Sequence, residues 1–286
     1  MYRTRLGWVV AHADSVTQEM SMIERCGSVH GEWQRLGATG VRPEPFEPTM
    51  VEGLPEPARR WLIHAIAPGT PLWASVELTM HGAIRLGAWR RFTAKQVLAP
   101  PNGYIWAATA RFFGLPVTGY DRLSSGTAAM RWRLLGLIPV MTAAGADVVR
   151  SAEGRLAAEV VLAPTTFRAA TWILGDEPDT VVGVWRIGGD DQRVKLHIGA
   201  AGNVLGVLMQ RWGAPVGAPY GQYPFGVTVE VERTFAGITI PSTFGAGWWW
   251  GTDRQEEGEF FRAQITEAQP LHVAGNSISG RLRTRS

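Results

Sequence analysis

The feature that most constrains this chain is a hydrophobic period of two that begins near Trp73, recurs to Ile265, and is broken at short intervals by glycine-bearing turns. Val76, Leu78 and Met80 alternate with Glu77 and Thr79; Tyr104, Trp106 and Ala108 repeat the pattern; Met130, Trp132 and Leu134 face away from Arg131 and Arg133. Successive side chains of a strand point to opposite faces, so each run is a half-buried strand. Val182, Val184 and Arg186 then lead into Gly188-Gly189-Asp190-Asp191, Val194, Leu196 and Ile198 lead into Ala200-Ala201-Gly202-Asn203, and Val204 starts the return. Val227, Val229 and Val231 alternate with Thr228, Glu230 and Glu232 and turn at Ala236-Gly237, after which Phe244, Ala246, Trp248 and Trp250 continue on one face. A last strand is expected near Glu259 to Ile265. Strand, glycine turn, strand is the pattern of an antiparallel meander.

Helical spacing is confined to a few places. Leu54-Pro55-Glu56-Pro57 opens a helix, prolines being tolerated where the amides have no intrahelical partner. Ala58, Trp61, Leu62, Ala65 and Ile66 then form one apolar stripe that ends at Pro68-Gly69. A second helix, Leu156 to Ala163, is apolar apart from Glu159 and is stopped by Pro164. The pattern predicts an α+β fold: a large, curved antiparallel β-sheet, half-barrel-like, with a few helices packed on one face.

Ahead of this body lies an accessory segment. Ser15-Val16-Thr17-Gln18 has the spacing of a capping box, followed by Met20, Ile23 and a stop at Gly27. Arg42-Pro43-Glu44-Pro45-Phe46-Glu47-Pro48 is then a linker, or a strap over the main body, because alternate prolines hold the chain extended. The expected organisation is an accessory segment with this link over 1–50, a half-barrel domain over 51–270, and a flexible tail over 271–286 with Arg281, Arg283 and Arg285.

Composition excludes several classes. At 286 residues, 45% hydrophobic, with a formal charge of +3, the chain is not disordered and is long enough to bury a core without cross-links. Its one cysteine, Cys26, builds neither a disulfide framework nor a structural zinc site and suits a reducing compartment. All but two of the 28 basic residues are Arg, a skew that GC-rich coding produces, and no nucleic-acid partner is expected. Leu6 to Ala11 is too short for an export signal, and the uncharged run Thr234 to Thr252 contains Pro241, four Gly and four Thr, so no transmembrane segment is expected. Localisation is expected to be cytoplasmic.

Phosphate-loop, dinucleotide, nucleophile-elbow and zinc-protease spacings are all missing, so no cofactor and no metal are expected. Two carboxylates stand out. Asp121, in Gly119-Tyr120-Asp121-Arg122, reads as a turn residue or as a general base or polar anchor. Glu159, on an apolar helix, must find a partner or protonate: it is either paired with an arginine such as Arg131 or Arg133, or catalytic. The tryptophans in strand-like stretches either fill a core or line an apolar ligand pocket on the concave face. Trp248-Trp249-Trp250 puts Trp249 on the face opposite its neighbours.

Several stretches in order resemble an uncharacterised bacterial family of unknown function: Leu54-Pro55-Glu56-Pro57-Ala58-Arg59-Arg60-Trp61; Gly119-Tyr120-Asp121 running into Leu135-Gly136-Leu137-Ile138-Pro139-Val140; Gly154-Arg155-Leu156-Ala157-Ala158-Glu159 before Pro164-Thr165; and Gly237-Ile238-Thr239-Ile240-Pro241 before Trp248. That family is similar to lipoprotein carriers, in which an antiparallel sheet curls around helices and leaves an apolar concavity. The resemblance implies that Asp121 and Glu159 occupy family motif positions, and implies no activity. The resulting expectation is a binding protein for an apolar or lipid-like amphipathic small molecule, held by Trp106, Trp132, Trp248, Trp250 and Arg131. The alternatives are an enzyme of the same fold using Asp121 and Glu159 as acid and base, and a structural or interaction module with a filled core.

Overall fold

The computed structural model describes residues 27–38 and 43–271. Thirteen strands form one sheet in which every pairing is antiparallel, confirming the α+β class expected from the alternating pattern. Numbered in chain order, β1 to β6 are Val76–Leu86, Ala88–Ala99, Gly103–Phe112, Leu115–Ser124, Thr127–Leu134 and Ile138–Ala144. Strands β7 to β13 are Ala170–Leu174, Thr180–Ile187, Asp190–Ile198, Val204–Gly213, Gly221–Phe235, Ile238–Trp248 and Glu259–Pro270. They lie in the spatial order β6-β5-β4-β3-β2-β1-β13-β12-β11-β10-β9-β8-β7. Two meanders, β1 to β6 and β7 to β13, therefore run outward from a central seam where the first strand pairs with the last.

This order forces an unusual connection. After β6 the chain stands at one edge of the sheet and must start β7 at the other. It crosses the concave face as helix α3 (Ala146–Ala158), a 3-10 turn over Glu159–Leu162 and another over Pro164–Ala169. Helix α3 packs on β3 (Gly103–Phe112), β4 (Leu115–Ser124), β5 (Thr127–Leu134) and β6, and also on β8 (Thr180–Ile187), β9 (Asp190–Ile198) and β10 (Val204–Gly213). A single helix touches both flanks only because the sheet curls around it. The expected helix Leu156 to Ala163 is thus the end of a longer one, and Pro164 opens the second 3-10 turn rather than closing a helix.

The other helices occupy both sides. Helix α1 (Gly27–Gly37) begins at the glycine where the sequence pattern predicts a stop, and the helix expected from Ser15 lies outside the described residues. Val29 and Trp33, one turn apart, lie on the convex face over Val97, Ile105, Ala107 and Tyr120. Trp33 Nε1 donates to Glu77 Oε2 at 3.0 Å, satisfying its one polar atom. Helix α2 (Glu56–Ala65) follows the predicted stripe, with Ala58, Trp61, Leu62 and Ala65 buried.

The proline-rich segment is a strap. Phe46 N donates to Thr70 O, Gly69 N to Phe46 O and Leu72 N to Glu44 O, each at 2.8 Å. Phe46 is 0% exposed and meets the Phe167 ring edge-on at 6.2 Å.

Three strand details depart from the alternation. The buried apolar side chains of β8 are Val181, Trp185 and Ile187 rather than Val182 and Val184, because Trp185 packs against Trp172 at 5.3 Å and fixes the face. A bulge after Val229 in β11 (Gly221–Phe235) turns Val231 outward and brings Glu232 to His64 at 2.7 Å. The strand β12 (Ile238–Trp248) ends at Trp248, Trp249 adopts a left-handed φ of 61°, and the Trp250 ring covers Gly226. Gly226 lies on the face opposite Phe225, so Trp250 is convex and does not share a face with Trp248.

Candidate functional site

The concave face carries a file of aromatic rings. Trp132 of β5 lies 5.7 Å from Trp106 of β3, which lies 5.5 Å from Phe92 of β2 (Ala88–Ala99); Phe92 stacks on Phe261 of β13 at 5.2 Å, and Phe261 lies 6.3 Å from Phe244 of β12. Rings on strands two apart meet because the strand between yields. On β4, Gly119 stands where a Cβ would come within 2.7 Å of the Trp132 ring, so glycine is needed for Trp132 to reach Trp106. Trp248 belongs to a neighbouring group with Phe225 at 5.4 Å and Phe260 at 6.3 Å.

Charge enters this apolar trough from α3. Arg155 Nε donates to Glu159 Oε1 at 2.7 Å and Nη1 donates to Asp121 Oδ2 at 3.2 Å. Asp121 Oδ1 accepts from Trp132 Nε1 at 2.9 Å, and Glu159 Oε2 accepts from Gln96 Nε2 at 2.5 Å. The guanidinium also lies over Tyr104 at 4.7 Å and Trp106 at 5.2 Å, a desolvated cation–π arrangement. A second arginine, Arg211 of β10, donates from Nε and Nη2 to Ser151 O and lies over Phe225 and Trp248. It fits because Gly154 of α3 has no side chain: a Cβ there would stand 2.9 Å from the arginine Cγ.

Burial governs the electrostatics. Desolvation raises the Asp121 pKa, against the pull of Arg155 and the Trp132 hydrogen bond. Burial likewise pushes the Tyr104 hydroxyl far above its ordinary range. Arg211 is pulled down to about 10, first by burial, and still carries its charge at neutral pH. Arg155 goes the other way, since Glu159, Tyr104 and Asp121 together outweigh its desolvation.

The structure therefore joins Asp121, Glu159, Trp106 and Trp132 in one cluster. The partner of Glu159 is Arg155; Arg131 and Arg133 are exposed, because both alternate with Trp132 onto the convex face. Arg131 and Trp250 thus stand apart from the other expected ligand residues. Sequence reasoning missed Arg155 and Arg211. The i,i+4 spacing of Arg155 and Glu159 was a visible signal for the first, whereas nothing local in β10 marks Arg211. Each oxygen of Asp121 and Glu159 already accepts a hydrogen bond, and the cluster fastens α3 to β2, β4 and β5. Among the described residues, no group of three or more His, Cys, Asp or Glu is placed to hold a metal, and no helix is long and apolar enough to cross a membrane.

The profile of a family of unknown function, DUF6544, matches residues 44–260, and the chain belongs to that family. No curated protein matches it. Among solved structures, the chain is similar to a LolA-superfamily protein from Nitrosomonas europaea, at 12% identity and a TM-score of 0.42 over 74% of this chain and 92% of the other. It is also similar to a domain named for outer-membrane lipoprotein sorting from Vibrio parahaemolyticus, at 11% identity and a TM-score of 0.39 over 69% and 85% of the two chains.

Proposed function

We propose that the protein is a noncatalytic binding protein for an apolar or amphipathic small molecule, which it holds between α3 and the aromatic file of the concave face. The observation that carries this reading is the composition of that seam. A helix fixed permanently in a core is best held by apolar contacts, since a buried ion pair is often no more stabilising than hydrophobic residues of its size. Beside its apolar contacts through Val148, Leu156 and Ala157, the seam of α3 contains Gly154, two arginines lying over aromatic rings, and a paired carboxylate cluster.

Such a seam offers an amphipath both things it needs: rings for its apolar part, and arginines for a polar end. Trp106, Trp132 and Trp248 are the ring contacts of this reading, and Arg155 and Arg211 the polar ones. A cytoplasmic setting belongs to the same proposal and is supported by the lone Cys26.

Native mass spectrometry of the purified protein with oleate tests the reading. One bound molecule per chain is expected, with a thermal shift that grows with oleate concentration as linkage requires. Absence of a bound species together with a flat thermal profile would refute it.

A further inference from the structure

We propose that the end of the sheet formed by the β1–β2, β3–β4 and β5–β6 hairpin tips is a docking surface for an anionic lipid bilayer. These three tips lie together because alternate connections of an antiparallel meander fall at the same end. Each carries large apolar side chains into solvent: Leu86 and Trp89 on the first, Phe113 and Leu115 on the second, Leu135 and Leu137 on the third. Phe113 is 90% exposed and Leu137 77%.

Turn geometry shows that these residues are not incidental. At the tip positions Phe113 and Leu135 have φ of 49° and 54°, each followed by a glycine. A bulky side chain is disfavoured in this left-handed region, which suits Gly, Asn or Asp. The turns at the opposite end use the same backbone with small residues: Ser125-Gly126 at φ 51° and 70°, and Ala236-Gly237 at φ 47° and 87°. The same conformation is thus filled by Ser and Ala at one end and by Phe and Leu at the other.

The charge that flanks the tips is mostly basic. From Leu78 to Ala146 the sequence contains a single acid, Asp121, and that carboxylate is buried in the trough. Arg85, Arg90, Arg91, Arg111, Arg131 and Arg133 lie in the same stretch, and none of them forms an ion pair with a described residue. Arg91 and Arg111 each lie one residue beyond the pair Phe92 and Ala110, toward the tips, and both are exposed. Arg90 lies 5.2 Å from the centroids of both Phe112 and Phe113, placing cation and apolar tip side by side. The acids Asp253, Glu256 and Glu257 of the β12–β13 connection bound the patch on one side.

Apolar fingers flanked by arginines that form no ion pair with a described residue match a bilayer surface, whose acyl boundary accepts the former and whose anionic headgroups accept the latter.

Flotation with vesicles of phosphatidylcholine and phosphatidylglycerol at 3:1 tests the proposal against vesicles of phosphatidylcholine alone. The full chain is expected to float with the anionic vesicles and to be released by raised salt. The pair Phe113→Ser and Leu137→Ser is expected to weaken flotation at least about tenfold, as is Arg91→Gln with Arg111→Gln. Ala236→Ser, at the other end, is expected to change nothing. All substituted positions are solvent-facing, and circular dichroism verifies folding. Equal flotation with neutral vesicles, no flotation at all, or flotation indifferent to both pairs would overturn the proposal. A dimer in sedimentation that Phe113→Ser and Leu137→Ser dissociate, without vesicle binding, would assign the patch to self-association instead.

Discussion

Arg155 and Glu159 are joined Nε to Oε1 at 2.7 Å across the point where α3 ends and its continuation tightens into a 3-10 turn. The same guanidinium reaches Asp121 on β4, so one arginine ties the crossing connection to the sheet that it crosses. Removing that arginine is the harshest way to break the cluster. Arg155→Met leaves the buried Asp121 and the half-buried Glu159 without their cation and is expected to cost about 3 kcal/mol. Glu159→Gln leaves Arg155 its bond to Asp121 and is expected to cost less. Denaturant midpoints of the two variants check the order, and an equal or reversed order would show that Glu159 anchors the cluster by another route.

The buried carboxyl of Asp121 predicts a pH dependence. Its folded pKa lies above the ordinary 3.8, mainly through desolvation, so the native state holds the proton more tightly than the unfolded state does. The associated stability is full below the unfolded pKa and is lost as pH rises through the raised folded value. Between pH 4 and 7 the wild type is therefore expected to lose stability relative to Asp121→Asn. Urea titrations at several pH values read this difference, and a wild type that gains on the variant with rising pH would mean that Arg155 outweighs burial.

Phe46 tests how far the body extends. The sequence pattern places the body after residue 50, which would make the preceding strap dispensable. With its ring fully buried among core residues, Phe46→Ala is expected to lower global stability by about 3–5 kcal/mol. A loss under about 1 kcal/mol, the range usual for a surface site, would restore the strap to the status of a linker.

Much of the fold was legible because its strands alternate cleanly and its turns carry glycine. The exceptions have local causes. On β8, Val181-Val182 and Val184-Trp185 are apolar on both faces, so periodicity could not choose between them, and the packing of Trp185 did. At Val231 one extra residue reversed the face, which a strict period of two cannot anticipate. The length of α3 was hidden by Ser151, Glu153 and Arg155, polar residues that its crossing position brings under the sheet's flanks. For the site, Asp121, Glu159, Trp106 and Trp132 were visible as unusual residues on apolar elements, whereas Arg211 comes from a distant strand and only the curl of the sheet brings it near.

Displacement of N-phenyl-1-naphthylamine by oleate tests most directly the claim that the aromatic concave face is a binding site. The wild type is expected to show saturable dye fluorescence with one site per chain, abolished by oleate. Trp132→Ala is expected to bind about tenfold more weakly, the equivalent of about 1.4 kcal/mol, while Leu137→Ser on the exposed rim leaves the titration unchanged. Dye binding that oleate fails to displace, or that follows Leu137 rather than Trp132, would contradict the account.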